Sequence, residues 1–179
     1  MANATKVITG IVRFGYAHVF KPHAIVEGQE PKYSVCLLIK KTDKATLKKI
    51  KDAIEAAKQA GKASWGNKIP ANLKLPLRDG DEERPDQPEY EGCYFVNANS
   101  NQKPGIVDEN LDEIMDASEF YSGCYGKASV NFFPFNTAGN KGIGCGLNNL
   151  MKTRDGEPLT SRSTPEDDFG DDDMDDLLD

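Results

Sequence analysis

The chain has 179 residues, of which 38% are hydrophobic and 28% charged, with 22 basic and 29 acidic side chains for a net charge of −7. No run of eighteen apolar residues exists, which excludes a membrane-spanning helix. The N-terminal Met-Ala-Asn-Ala-Thr-Lys runs into a strand-like segment without the apolar region of a signal peptide, so a soluble, intracellular protein is expected.

Lys6 to Phe20 reads as one long strand, rich in Val, Ile, Phe and Tyr, with Gly10 and Gly15 as bend or bulge positions. Period-2 alternation puts Phe14, Tyr16, His18 and Phe20 on one face, and Arg13, Gly15, Ala17 and Val19 on the other. A second strand, 32–41, alternates Tyr33, Val35, Leu37 and Ile39. Thr42-Asp43 is an N-cap signal for a helix that stops near Gly61. Its apolar stripe is Leu47, Ile50, Ile54 and Ala57, and the lysines at 44, 48, 49, 51, 58 and 62 are read as its solvated face.

From Trp65 to Pro88 the chain is irregular and dense in Pro, Gly and charge, the composition of a functional or mobile loop. Tyr90 to Ser100 returns to strand character, Pro104-Gly105 marks a turn, and Ile106-Val107 a short strand. Asn110 to Glu119 is read as a connection with one helical turn around Leu111, Ile114 and Met115. Tyr125 to Met151 forms a hairpin. With Asn136–Lys141 as its loop, Phe135 lies opposite Gly142, Phe133 opposite Gly144, Asn131 opposite Gly146 and Ser129 opposite Asn148. The reverse face pairs Phe132 with Cys145 and Val130 with Leu147 and is the core side.

The aromatic–glycine face has two readings. Glycine in a strand marks close approach by a ligand, so Phe133 and Phe135 are stacking platforms. Alternatively, the rings fold across the glycines and cover bare backbone.

Glu166 to Asp179 carries nine carboxylates and no Lys or Arg, which leaves 22 basic against 20 acidic residues in 1–165, a net charge of +2. A weakly basic body thus carries a polyanion, expected to be disordered. Phe169, Met174, Leu177 and Leu178 lie among its aspartates, the pattern of a segment that docks on a protein partner.

Four widely spaced cysteines, Cys36, Cys93, Cys124 and Cys145, without a close pair, read as reduced, buried thiols rather than zinc ligands. His18 and His23 read as strand-end side chains. No metal or other cofactor is expected. Asp79, Asp81, Glu82 and Glu83 sit in a Pro/Gly loop and read as a solvated turn before a nuclease metal cluster. Gly142-Ile-Gly-Cys-Gly146 lacks the third glycine of a dinucleotide fingerprint. A non-enzyme is expected.

Binding of single-stranded nucleic acid needs cations to follow phosphates and aromatic faces for bases. The candidates are Arg13, Lys21, Arg78, Arg84, Lys103, Lys127 and Lys141, around Tyr16, Phe20, Trp65, Tyr94, Tyr121, Phe133 and Phe135. Five strands from four candidates, the last a hairpin, with one helix inserted midway describe an OB-fold, an all-β Greek-key barrel with one main helix. The expected organisation is an OB-fold domain over 1–155 and a disordered acidic tail over 156–179.

Lys74-Leu-Pro-Leu-Arg-Asp-Gly-Asp-Glu-Glu-Arg84, Tyr94-Phe-Val-Asn-Ala-Asn-Ser100, Lys103-Pro-Gly-Ile-Val107 and Phe120-Tyr-Ser-Gly-Cys-Tyr125 resemble a bacteriophage and prophage family of single-stranded DNA-binding proteins with an OB-fold. The likeness covers residues 6 to about 168. The architecture is also similar to that of the single-strand-binding proteins of short-tailed coliphages, whose acidic tails recruit replication enzymes and compete with DNA. Those tails often end on an aromatic residue, whereas this one ends Leu177-Leu178-Asp179. The resemblance implies a sequence-independent coat for single-stranded DNA in phage replication or recombination, in the cytoplasm of the host bacterium. The partners expected are single-stranded DNA and, through the tail, phage or host replication and recombination proteins, with a homodimer left open and no membrane. The alternatives are an interaction adaptor without DNA affinity and a metal-dependent nuclease subunit using Asp79–Glu83.

Overall fold

Eight strands build the body of the protein in the computed structural model, which describes residues 4–24, 28, 30–137 and 139–159. They are β1 (Lys6–Ile8), β2 (Val12–His23), β3 (Lys32–Lys40), β4 (Arg78–Asp79), β5 (Cys93–Ser100), β6 (Gly105–Val107), β7 (Tyr125–Thr137) and β8 (Asn140–Arg154). Their order is β1-β7-β2-β3-β5-β8-β6, and the β7–β8 pairing closes β7-β2-β3-β5-β8 into a barrel. This is an OB-fold.

The inner face of each strand supplies the core. Val12, Phe14, Val35, Leu37, Ile39, Val96, Ala98, Val130, Phe132 and Leu147 are all buried. Each large aliphatic or aromatic side chain removed from water here contributes about 1.5–3 kcal/mol. Helix α1 (Lys44–Gly61) begins at Asp43, whose carboxylate accepts from the Thr46 backbone N–H at 3.2 Å. It buries Leu47, Ile50, Ala53, Ile54 and Ala57 and packs on β7 and β1. Lys48 pairs with Asp52 and Lys58 with Glu55 on its wet side, so those lysines belong to a solvated helix face.

β5 and β8 touch in parallel at Asn99↔Gly146 only, and stand apart on the N-terminal side of that contact. The segment Lys74–Asp79 straps the gap. Lys74 bridges Gly142 on β8, while β4 pairs Arg78 with Phe95 and Asp79 with Tyr94 on β5. A short helical turn, α2 (Gly80–Glu83), follows, capped by the Asp79 carboxylate on the Asp81 N–H.

Four sequence expectations are corrected. The strand read across Lys6–Phe20 is two strands, and β2 carries a bulge between Gly15 and His18. There Tyr16 takes a left-handed backbone with φ 47°, which breaks alternation. Phe14 is therefore buried, whereas Tyr16 points outward and is half exposed. Ser129 pairs with Asn149 rather than Asn148, because the register shifts between Ser129 and Val130. Residues 110–119 form turns without a helix; Ile114 is buried, while Leu111 and Met115 stand in solvent. Cys93 is only half buried, unlike Cys36, Cys124 and Cys145, although all four are free.

Candidate nucleic-acid interface

The hairpin register places Phe135 opposite Gly142, Phe133 opposite Gly144 and Asn131 opposite Gly146. Because β7 and β8 put Phe132, Val130, Cys145 and Leu147 into the core, these partners stand on the outer face. A Cβ on Gly144 would meet three Phe133 ring atoms at 2.6–3.3 Å, and one on Gly142 would meet the Phe135 ring at 2.7 Å. Each ring therefore lies across bare backbone. Phe133 still exposes 41% of its surface, so its outer π-face is open. The covering role and the platform role coexist in one side chain.

The same face continues across the barrel. Gly15 pairs with Cys36, Cys36 with Asn97, Asn99 with Gly146, and Gly144 with Phe133. From β2 to β7 along this path is four inter-strand steps, about 19 Å at ~4.8 Å each. Asn97 and Asn99 point outward between the inward Val96 and Ala98. Beside them Phe95 is covered by Arg78 and Arg84, whose guanidinium carbons lie 5.6 and 5.5 Å from its ring centre. Arg78 is also paired with Glu83. At the β2 end, Tyr16 stacks on Tyr90 at 6.2 Å, and Tyr90 meets Phe95 edge-on at 4.9 Å. The Tyr16 hydroxyl lies 2.9 Å from both the Gln87 and Glu89 side-chain oxygens. Burial, with Glu89 beside it, raises its pKa.

The structure thus places Phe133, Phe135 and Lys141 toward one side of this face and Tyr16 toward the other, with Arg78 and Arg84 over Phe95 between them. Lys74, whose backbone N–H donates to the Lys141 carbonyl at 3.1 Å, lies on the Phe133 and Phe135 side. Sequence reading missed Lys74, Asn97 and Asn99. The alternating Asn-Ala-Asn within a strand was the available signal for the last two, since asparagine is depleted in strands.

The other candidates are placed elsewhere. Trp65 is 5% exposed and donates its indole N–H to the Phe135 carbonyl at 3.1 Å, so it supports the platform from within. Tyr94 packs against the core with Lys41 and Lys51 over its ring. Arg13 donates to the Gly123 and Glu157 carbonyls, at 3.2 and 2.7 Å. The Tyr121 hydroxyl is held between the Asp155 carboxylate and Gly156, each 3.0 Å away. Phe20, under Lys103, lines a separate cleft of about 330 Å³ with His18 and Lys21. Lys127 lies six residues along β7 from Phe133, roughly 20 Å at ~3.4 Å per residue. Phe169, Met174, Leu177 and Leu178 fall outside the described residues.

Asp79 and Asp81 are both ion-paired to Lys41 at 2.8 Å, which holds their pKa values below the ordinary carboxylate range. They clamp the strap to the end of β3 and are engaged as structural groups.

A barrel of this topology, with an open aromatic–glycine strip and arginines on its outer face, is of the oligonucleotide-binding class. The chain belongs to the Enterobacter phage Enc34 ssDNA-binding protein family, whose profile matches residues 5–178. This is a family of DNA-binding proteins, not of enzymes. Protein p50 of Acyrthosiphon pisum secondary endosymbiont phage 1 is 28% identical over 165 residues, covering 87% of this chain and 86% of its own. The single-stranded DNA-binding protein from bacteriophage Enc34, solved in complex with ssDNA, superposes with a TM-score of 0.79 at 29% identity, covering 88% of this chain and 91% of that one. The gp2.5 single-stranded DNA binding protein encoded by bacteriophage T7 shares the fold at 16% identity, with a TM-score of 0.60 over 92% of this chain and 99% of its own.

Proposed function

We propose that the chain coats single-stranded DNA without regard to sequence during phage DNA replication or recombination. The observation that carries this reading is the Phe133 ring, laid over Gly144 with its outer face open. Bases stack on Phe133 and Phe135 at one side of the outer face and on Tyr16 at the other. Asn97 and Asn99 form a neutral floor between them, and Lys74, Lys141, Arg78 and Arg84 pair with phosphates. Phosphate pairing releases counterions, so affinity falls with salt. Every base offers a π-face, so stacking tolerates any sequence. The protein acts in the host cytoplasm.

The acidic tail is proposed to modulate this binding and to recruit replication proteins, and its attachment point supports a role at the groove. Residues 155–159 lie across the outer side of β2. Besides the Arg13 contact to Glu157, the Leu159 N–H donates to the Ser122 carbonyl at 2.8 Å. The Leu159 side chain packs with Cys36, Leu38, Tyr90 and Phe95. Burial there pushes the Cys36 thiol pKa up to about 12. The described chain therefore ends beside Tyr90, which carries the Tyr16 ring.

Titration with a mixed-sequence oligonucleotide at two salt concentrations tests the reading. Phe133→Ala and Tyr16→Ala are each expected to lose ~1–3 kcal/mol of binding, about 5- to 150-fold, the worth of one stacked base. Unchanged affinity in both variants would sink the proposed site, and absence of binding by the parent protein would sink the function.

A further inference from the structure

We propose that copies of this chain associate head to tail, the β1 edge of one copy docking against the loop beyond β6 of the next. Ile8, Ser129, Asn149 and Gly105 form one continuous register row across β1-β7-β8-β6. β1 and β6 are the two margins of this strip, three inter-strand steps or about 14 Å apart. Each margin carries exposed apolar side chains. At the β1 margin Ile8 is 55% and Ile11 45% exposed; beyond β6, Leu111 is 69% and Met115 79% exposed. Single exposed apolar residues need no explanation, but two pairs on opposite margins are unusual enough to ask what covers them.

Charge identifies the occupant. The loop from Asp108 to Glu119 holds six carboxylates, and no Lys or Arg occurs between Pro104 and Gly126. The β1 margin carries Lys6 beside Ile8 and Lys49, whose ammonium donates to the Ile8 carbonyl at 3.2 Å, with Lys127 on the outer face of the adjoining strand. Among the described residues, none of these lysines and none of these carboxylates takes part in an ion pair within the chain. Although Lys152 and Arg154 line the cleft beside Asp108 and Glu119, two apolar patches with opposite charge that is not ion-paired within the described chain complement each other, not themselves. A contact between unlike patches leaves one of each free at the ends, so it extends into a row. On a DNA strand such a row makes binding cooperative, and its charged rim makes the contact weaken with salt.

Sedimentation velocity on the full chain tests this with two variants at exposed positions, Ile8→Asp/Ile11→Asp and Leu111→Asp/Met115→Asp. The parent protein is expected to sediment faster as its concentration rises, and each variant alone to remain a monomer. An equimolar mixture of the two still has one intact pair of unlike patches, so it forms dimers and nothing larger. Association of either variant alone at the parent's strength, failure of the mixture to dimerise, or a parent that stays monomeric would each overturn the proposal. Both variants should bind an oligonucleotide long enough for one copy as the parent does. Loss of that binding in the parent would instead count against the DNA-coating function and leave the contact between copies standing.

Discussion

Gly144 and Gly126 both resist a side chain, for opposite reasons. The three atoms nearest a Cβ on Gly144 all belong to the Phe133 ring, which can swing about its own rotatable bonds. A Cβ on Gly126 would lie 1.8 Å from the Met151 carbonyl oxygen, on a backbone fixed by the β7–β8 ladder. Gly144→Ala is therefore expected to fold normally, melt within a degree or two of the parent, and lose most of what Phe133→Ala loses in DNA affinity. Gly126→Ala is expected to cost at least ~1–3 kcal/mol of stability through overpacking. Thermal melts and oligonucleotide titrations on the pair separate the two roles. A Gly144→Ala protein with parental affinity would show that the ring's position over the glycine is irrelevant to binding.

At the scale of elements, the strap is the piece on which one wall of the site depends. It brings Lys74 and Arg78 to the outer face and is fixed at its far end by Lys41, between Asp79 and Asp81. Both carboxylates have folded pKa values below their ordinary range, with the Lys41 hydrogen bond as the largest cause. The clamp is thus present above the ordinary carboxylate range and is lost as pH falls through the depressed values. Lys41→Met should speed amide exchange at residues 78–83, as should acidification of the parent through that window. Equal exchange in parent and variant at neutral pH would mean the strap is held by Leu73 and Leu77 against the core alone. The strap was not legible in the sequence: its pairing exists only because β5 and β8 stand apart on the N-terminal side of Asn99 and Gly146, a long-range event with no local pattern. The hairpin was legible, register included as far as Val130, because apolar alternation on one face and glycine alternation on the other permit one alignment. Between these cases lies β2, whose composition announced a strand but whose alternation misled. One left-handed residue, Tyr16, breaks the alternation, so that Val19 and not Tyr16 or His18 follows Phe14 into the core. Trp65 was misread because an aromatic in a polar loop gives no sign of which surface it will fold under.

For the molecule as a whole, the deciding feature is the separation of charge between body and tail. Residues 1–165 carry a net charge of +2, while the last fourteen carry nine carboxylates. The described chain ends with Leu159 seated among Cys36, Leu38, Tyr90 and Phe95, directly beneath the Tyr16 end of the proposed DNA path. On the proposed reading, a polyanion tethered beyond that point would compete with phosphates for Arg78 and Arg84 at an effective concentration set by the tether. Truncation after Leu159 keeps the anchor and removes the proposed competitor. It should tighten oligonucleotide binding at low salt, with the difference from the full chain shrinking as salt rises, because the Debye length falls from about 30 Å at 0.01 M to about 3 Å at 1 M. Titrations of both proteins across that salt range decide it. Parallel curves with no gap at low salt would mean that the tail does not reach the groove and acts only on other proteins. A gap that persists unchanged to high salt would point to apolar competition by Phe169, Met174, Leu177 or Leu178 in place of charge.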